Sequence, residues 1–156
     1  MKGILAALNV CVNIVTDDLG LTTAALNAVS RVGKGHVEKM VELGEEGACE
    51  IVAQLLHFFI DSYFEREGAD SAEQERFYDG VQTCLVAAVI AIEGLSAGCK
   101  RNRHRLARTG ACFYLVEILR RHCREGRNIP LLEATLNTIW QLSFNNKLSK
   151  KCFRDW

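Results

Sequence analysis

The stretch GACFYLVEIL (Gly110–Leu119) restates an earlier one, GACEIVAQLL (Gly47–Leu56). Each opens on Gly-Ala-Cys and continues into aliphatic residues at helical spacing. A second pattern recurs around them: ALNAVSRV from Ala25, AVIAIEGLS from Ala88 and TLNTIWQLS from Thr135. With Leu26, Val89 and Leu136 set in register, Leu26 precedes Gly47 by 21 residues and Val89 precedes Gly110 by 21. The same count from Leu136 falls one position past the last residue, 156. Successive units are then 63 and 47 residues apart, and the charged insertion around 65–76 accounts for the longer first interval. A fixed internal spacing of this kind signals repeated helical modules, each burying its apolar face against the next.

Composition agrees with a packed helical chain. Its 156 residues are 49% hydrophobic and 24% charged, with a single proline, Pro130. That length suits one domain, 1–156, divided into approximate units 1–46, 47–109 and 110–156. The seven cysteines lie at 11, 49, 84, 99, 112, 123 and 152, with no C-x-x-C pair, mostly beside Leu, Val or Ala. They read as small buried hydrophobes of a reducing, cytoplasmic or nuclear compartment rather than a disulfide framework. MKGILAALNVCVNIV reads as a first helix; Asn9 and Asn13 interrupt the run, and no small-x-small cleavage site follows before Asp17 and Asp18. The apolar run Cys84–Ile92 is short for a bilayer span, so no membrane role is expected.

Residues 2–15 form the first expected helix. Thr22 or Thr23 would cap a second, ending at Gly33 and Gly35, and HVEKMVEL a short third. The next runs from Glu46 to about Phe64, with Ala48, Ile51, Val52, Leu55, Leu56 and Phe59 inward. Ser71 and Gln74 resemble a capping box before a long helix over about 72–97, in which Gly80 marks a candidate kink. A short basic helix follows, then Gly110 to about Cys123, then a helix opened by Pro130 whose buried face would be Leu132, Leu136, Ile139 and Leu142. A short amphipathic tail closes the chain.

GACFYLVEILRR, a loop, and LLEATLNTIWQLSFNN together resemble an armadillo repeat: a glycine opens the second helix, and the third closes on a Leu-Asn…Leu-Ser phrase. The resemblance spans most of 22–156 and is clearest at 110–146. It implies an all-α, right-handed superhelix of about three repeats, the terminal ones incomplete, with a concave groove that binds protein or peptide without catalysis. In peptide-binding members a Trp and an Asn one turn apart on the third helix line that groove. A carboxamide both donates and accepts, so it can grip an extended backbone. The Trp position corresponds here to Asn27, Ile90 and Asn137, and the Asn position to Arg31, Gly94 and Gln141. No unit carries the Trp–Asn pair. The resemblance points to Asn27, Arg31, Glu93, Asn137, Trp140 and Gln141 as groove candidates.

Charge is split along the chain. Residues 1–99 hold six Lys/Arg against fifteen Asp/Glu; residues 100–156 hold thirteen against four. The basic half is densest at KRNRHRLAR, where Lys100, Arg101, Arg103, Arg105 and Arg108 form a candidate patch for an acidic partner. No aromatic alternates with these arginines to stack bases, and the whole chain is neutral, which argues against nucleic acid. The opposed halves also suit association of copies through the ends of the array, where Phe153, Trp156 and the Leu136/Ile139/Leu142 stripe have no following repeat. His122–Cys123 and Cys99…His104 are neighbours in sequence only, which defines no nucleophile–base geometry. No paired metal-ligand spacing, phosphate loop or hydrolase motif occurs, so no catalytic residue, cofactor or metal is expected.

Overall fold

The computed structural model describes residues 2–14, 18–33, 36–64, 71–125 and 128–155, and the side chains of 122–125 lie outside that description. Trp156 and most of the charged insertion, 65–70, also lie outside it. Among the described residues the chain is all-helical, with no strand. The helices are α1 (Lys2–Asn13), α2 (Leu19–Gly33), α3 (Val37–Glu45), α4 (Ala48–Phe64), α5 (Ala72–Ser96), α6 (Lys100–Arg108), α7 (Ala111–Glu125), α8 (Ile129–Ser143) and α9 (Lys147–Arg154).

Several helix starts carry side-chain caps. Ser71 Oγ accepts from the Gln74 amide at 3.3 Å, as the capping box requires. Asn128 caps α8 through Leu131 N at 2.9 Å, and Asn146 caps α9 through Leu148 N at 3.2 Å. α2 begins earlier than its threonines suggest. Asp18 Oδ1 accepts from Leu21 N at 2.8 Å, while Thr22 and Thr23 bond back to the carbonyls of Asp18 and Leu19. Those hydroxyls lie inside the helix, where such back-bonding is their usual outlet. Gly80 lies within one continuous helix, α5. A Cβ there would come within 2.6 Å of Leu19 Cδ1, so this glycine admits a neighbouring side chain.

Every pair of helices in substantial contact is three or fewer apart in order. Three rows result: α1–α4–α7, α2–α5–α8 and α3–α6–α9. In each row a helix packs on the one three places later. The central helix α5 lies between α2 and α8, and α4 packs along it. It is long and apolar enough to cross a membrane, but Val81, Leu85, Ala88, Ile92 and Leu95 are buried among the other helices. Phe59, Leu55 and Leu56 of α4 and Leu26 of α2 complete this centre. Each fully buried Leu or Phe of the set contributes roughly 1.5–3 kcal/mol of transfer free energy.

Gly47 and Gly110 occupy matching places. They lie in the α3–α4 and α6–α7 turns with φ of 98° and 86°, a region L-residues avoid. A second turn also recurs: Gly98 (φ 63°) between α5 and α6 corresponds to Asn145 (φ 49°) between α8 and α9.

The α8 face differs from expectation. Its buried residues are Leu131, Ala134, Thr135, Thr138 and Leu142. Thr138 can be buried because its hydroxyl bonds Ala134 O at 2.8 Å and approaches Val89 O of α5 at 3.2 Å. Leu136 turns outward and is 51% exposed, whereas Leu26 and Val89, its counterparts in register, are fully buried. Leu132 and Ile139 are only partly covered.

Candidate interaction surfaces

The six groove candidates lie on α2, α5 and α8, the three helices of one row. Asn137, Trp140 and Gln141 occupy successive turns of α8. Trp140 is 67% exposed and its ring lies 6.1 Å from that of Phe144, itself 52% exposed. With Leu136 they form an apolar strip at the outer side of the α2–α5–α8 row, flanked by the exposed Asn137 and half-buried Gln141. Asn27 lines a small cleft of about 260 Å³ with Thr23, Val86, Ile90 and Pro130. Arg31 is exposed in the last turn of α2, and Glu93 is half-buried on α5. No side-chain hydrogen bond or ion pair joins the six among the described residues.

The basic helix α6 divides into two sets. The first is tied into the fold. Arg105 Nη1 donates to Gly44 O at 2.8 Å, at the end of α3, and Arg101 pairs with Glu45 at 3.0 Å. Arg103 is 6% exposed and donates from Nη1 to Ser96 O at 2.9 Å, at the end of α5, while its guanidinium carbon lies 6.0 Å from the Phe144 ring centre. Asn102 Nδ2 donates to Met40 O at 2.7 Å and Leu95 O at 3.0 Å. Helix C-termini leave carbonyls unpaired and carry partial negative charge, so cations and amide donors belong there. Much of the charge in KRNRHRLAR therefore caps α3 and α5, and Arg103 lies beneath the surface patch it was expected to join.

The second set is free. Lys100, His104 and Arg108 are exposed, and no hydrogen bond or ion pair engages their side chains among the described residues. They face a cleft of about 1060 Å³ between α6 and the start of α9, which Arg101, Arg105 and Lys147 also line and to which Glu50 contributes a carboxylate. The α9 side was not expected from composition. Its signal lies in the register, because Lys147 follows Lys100 by the 47 residues that separate the last two units.

The cysteines behave as buried hydrophobes. Cys11, Cys49, Cys84, Cys99 and Cys112 are buried, Cys152 is partly buried, and all six are free thiols; the side chain of Cys123 lies outside the described residues. Burial, chiefly, pushes the Cys49 and Cys112 thiols up to about 12, so both stay protonated and unreactive. His57 pairs with Asp61 at 3.0 Å and stacks on Tyr114 with ring centres 4.6 Å apart, which ties α4 to α7 at the surface. Partial burial, and then the Asp61 charge, raise the Tyr114 hydroxyl above its usual range. Among the described residues no His, Cys, Asp or Glu cluster has the makings of a metal centre.

No protein-family model, curated protein or solved structure matches this chain.

Proposed function

We propose that the chain is a non-catalytic protein-interaction scaffold, an armadillo-like right-handed superhelix whose units run approximately over 1–46, 47–109 and 110–156. The three-place packing of the helices and the matching Gly47 and Gly110 turns support the architecture. A binding role is carried by one observation: Leu136 and Trp140 of α8 and Phe144 at its C-cap are each more than half exposed, beside Asn137 and Gln141. Contiguous apolar surface rimmed by amides is how interaction sites differ from plain surface, and tryptophan is enriched at their energetic centres. The strip accepts the apolar part of a protein or peptide partner, and the amides bond its backbone.

The test compares the proteins that co-purify with the wild type and with Trp140→Ala, a substitution at a position two-thirds exposed, with circular dichroism checking that the variant keeps its fold. A partner lost from the variant and regained by Trp140→Phe supports the reading. The same set of partners with both proteins contradicts it.

A second reading is favoured by the series Leu26, Val89, Leu136. The first two are fully buried and the third is half exposed, as for a stack whose last face is a seam for another helix. A second copy placed there makes the chain a self-assembling piece. Sedimentation decides: a species larger than monomer that Leu136→Glu dissolves supports assembly, and a monomer throughout rejects it.

A further inference from the structure

We infer that the cleft between α6 and the start of α9 is a docking site for an acidic, carboxylate-rich peptide segment of a partner protein. This rests on the scaffold reading but uses a different surface, on the α3–α6–α9 row.

Three observations converge. The cleft holds five formal cations, Lys100, Arg101, Arg105, Arg108 and Lys147, against one carboxylate, Glu50. Arg105 is anchored to α3 through the Gly44 carbonyl, which holds that part of the wall before any ligand arrives, while Arg101 pairs with Glu45 at the surface. Among the described residues Lys100, His104 and Arg108 have no side-chain partner, leaving their donors available. Cations without counter-charges on a concave wall concentrate anions, because the field is focused and little ordering is required on binding.

The helix starts strengthen the case. Neither α6 nor α9 has an acidic residue in its first turn; Lys100 begins one and Lys147 the other. Positive charge there opposes the helix dipole, which favours anions at an N-terminus. A carboxylate bound beside either start relieves that opposition, so occupancy stabilises the fold.

Spacing selects the ligand. Lys100, His104 and Arg108 are four residues apart on a helix rising about 1.5 Å per residue, so their bases lie roughly 6 Å apart along the wall. Alternate side chains of an extended chain project to one side at nearly that interval, about 6.6 Å. A segment with an acid at every second residue therefore matches the row. Nucleic acid fits less well. No Phe, Tyr or Trp lines the cleft, and His104 is the one ring there on which a base could stack.

The experiment titrates the full chain, at low salt, with a labelled peptide of alternating Glu and Ser. Controls are the same peptide with Gln for Glu and an oligothymidylate of equal charge. Binding of the Glu peptide alone, weakened at least tenfold by Lys100→Glu/Arg108→Glu and no more than twofold by Lys151→Glu, is the expected result; Lys151 is an exposed lysine of α9 outside the cleft. The bound peptide should also raise Tm. Equal weakening by both variants, tighter binding of the oligothymidylate, or no binding to the wild type overturns the proposal. Trp140→Ala leaves this titration unchanged, so its failure is distinguishable from failure of the α8 surface.

Discussion

The side-chain amide of Asn102 donates to the carbonyl of Met40 across 2.7 Å, joining α6 to α3 through the notch that Gly44 leaves open. A Cβ at Gly44 would overlap Asn102 Oδ1, so the glycine and the amide fit only as a pair. Gly44→Ala is expected to cost about 1–3 kcal/mol through overpacking. Asn102→Ala should cost a similar amount, on the order of 1–3 kcal/mol, by leaving the Leu95 carbonyl at the end of α5 without its donor. Urea denaturation of both singles and the double checks this. The double should lose clearly less than the sum, since either change alone breaks the same joint.

The basic helix separates structural from free charge, and substitution should show it. Arg103→Ala removes a buried cation that caps α5 and is expected to destabilise by roughly 2–4 kcal/mol. Arg101→Ala breaks an ion pair between exposed groups and should change stability by no more than about 1 kcal/mol. Lys100→Ala and Arg108→Ala, at N- and C-terminal positions of α6 with no partner, should be near neutral. Thermal melts of the four variants give the ordering directly.

Two glycines hold equivalent backbone conformations, so their replacement should have equivalent consequences. Gly47→Ala and Gly110→Ala each force a Cβ into the left-handed region and should each cost on the order of 1–2 kcal/mol. Gly94→Ala is different in kind. Its Cβ would lie 2.9 Å from the Ser30 backbone, prising α2 from α5, and the loss should exceed that of the turn variants. Matched losses at 47 and 110 with a larger one at 94 fit repeated units in contact through a close helix crossing.

The buried thiols set an alkaline limit. Cys49 and Cys112 ionise in the unfolded chain near the ordinary value of 9.0 but only at about 12 in the folded one. The unfolded state therefore binds fewer protons across that window, and stability falls as pH rises from 9 toward 12. Their contribution is fully present below pH 9.0. Denaturation midpoints taken across this range should decline, and Cys49→Ala/Cys112→Ala should flatten the decline. Of the thiols at 11, 49, 84, 99, 112 and 152, Cys152 should react first with a maleimide, being the one not fully buried.

Much of this architecture could be read from residues alone. The stripes of α4, α5 and α7 keep a 3.6-residue period because each helix buries one continuous face, and Gly47 and Gly110 announce turns that only glycine enters readily. Of the α8 face expected from hydrophobicity only Leu142 is fully buried, because the face that packs also carries threonines. Packing on α5 selects the face containing Ala134, Thr135 and Thr138, where threonine hydroxyls find carbonyls, and turns Leu136 outward. The division of the basic helix was also hidden. Whether an arginine caps a distant helix or faces solvent depends on which helix end lies beside it. Arg103 and Arg108 are alike in composition and opposite in burial.

Methyl NOEs from Leu26, Val89 and Leu136 test the stacking most directly. With helices about 8–10 Å apart at each step of a row, Leu26 should contact α5, Val89 should contact α8, and Leu26 and Leu136 should lie too far apart to couple. The expected spectrum links 26 to α5 and 89 to α8, with no cross-peak between the methyls of 26 and 136. A direct Leu26–Leu136 cross-peak would mean that the helices close on themselves as a bundle, and the stacked scaffold would be wrong.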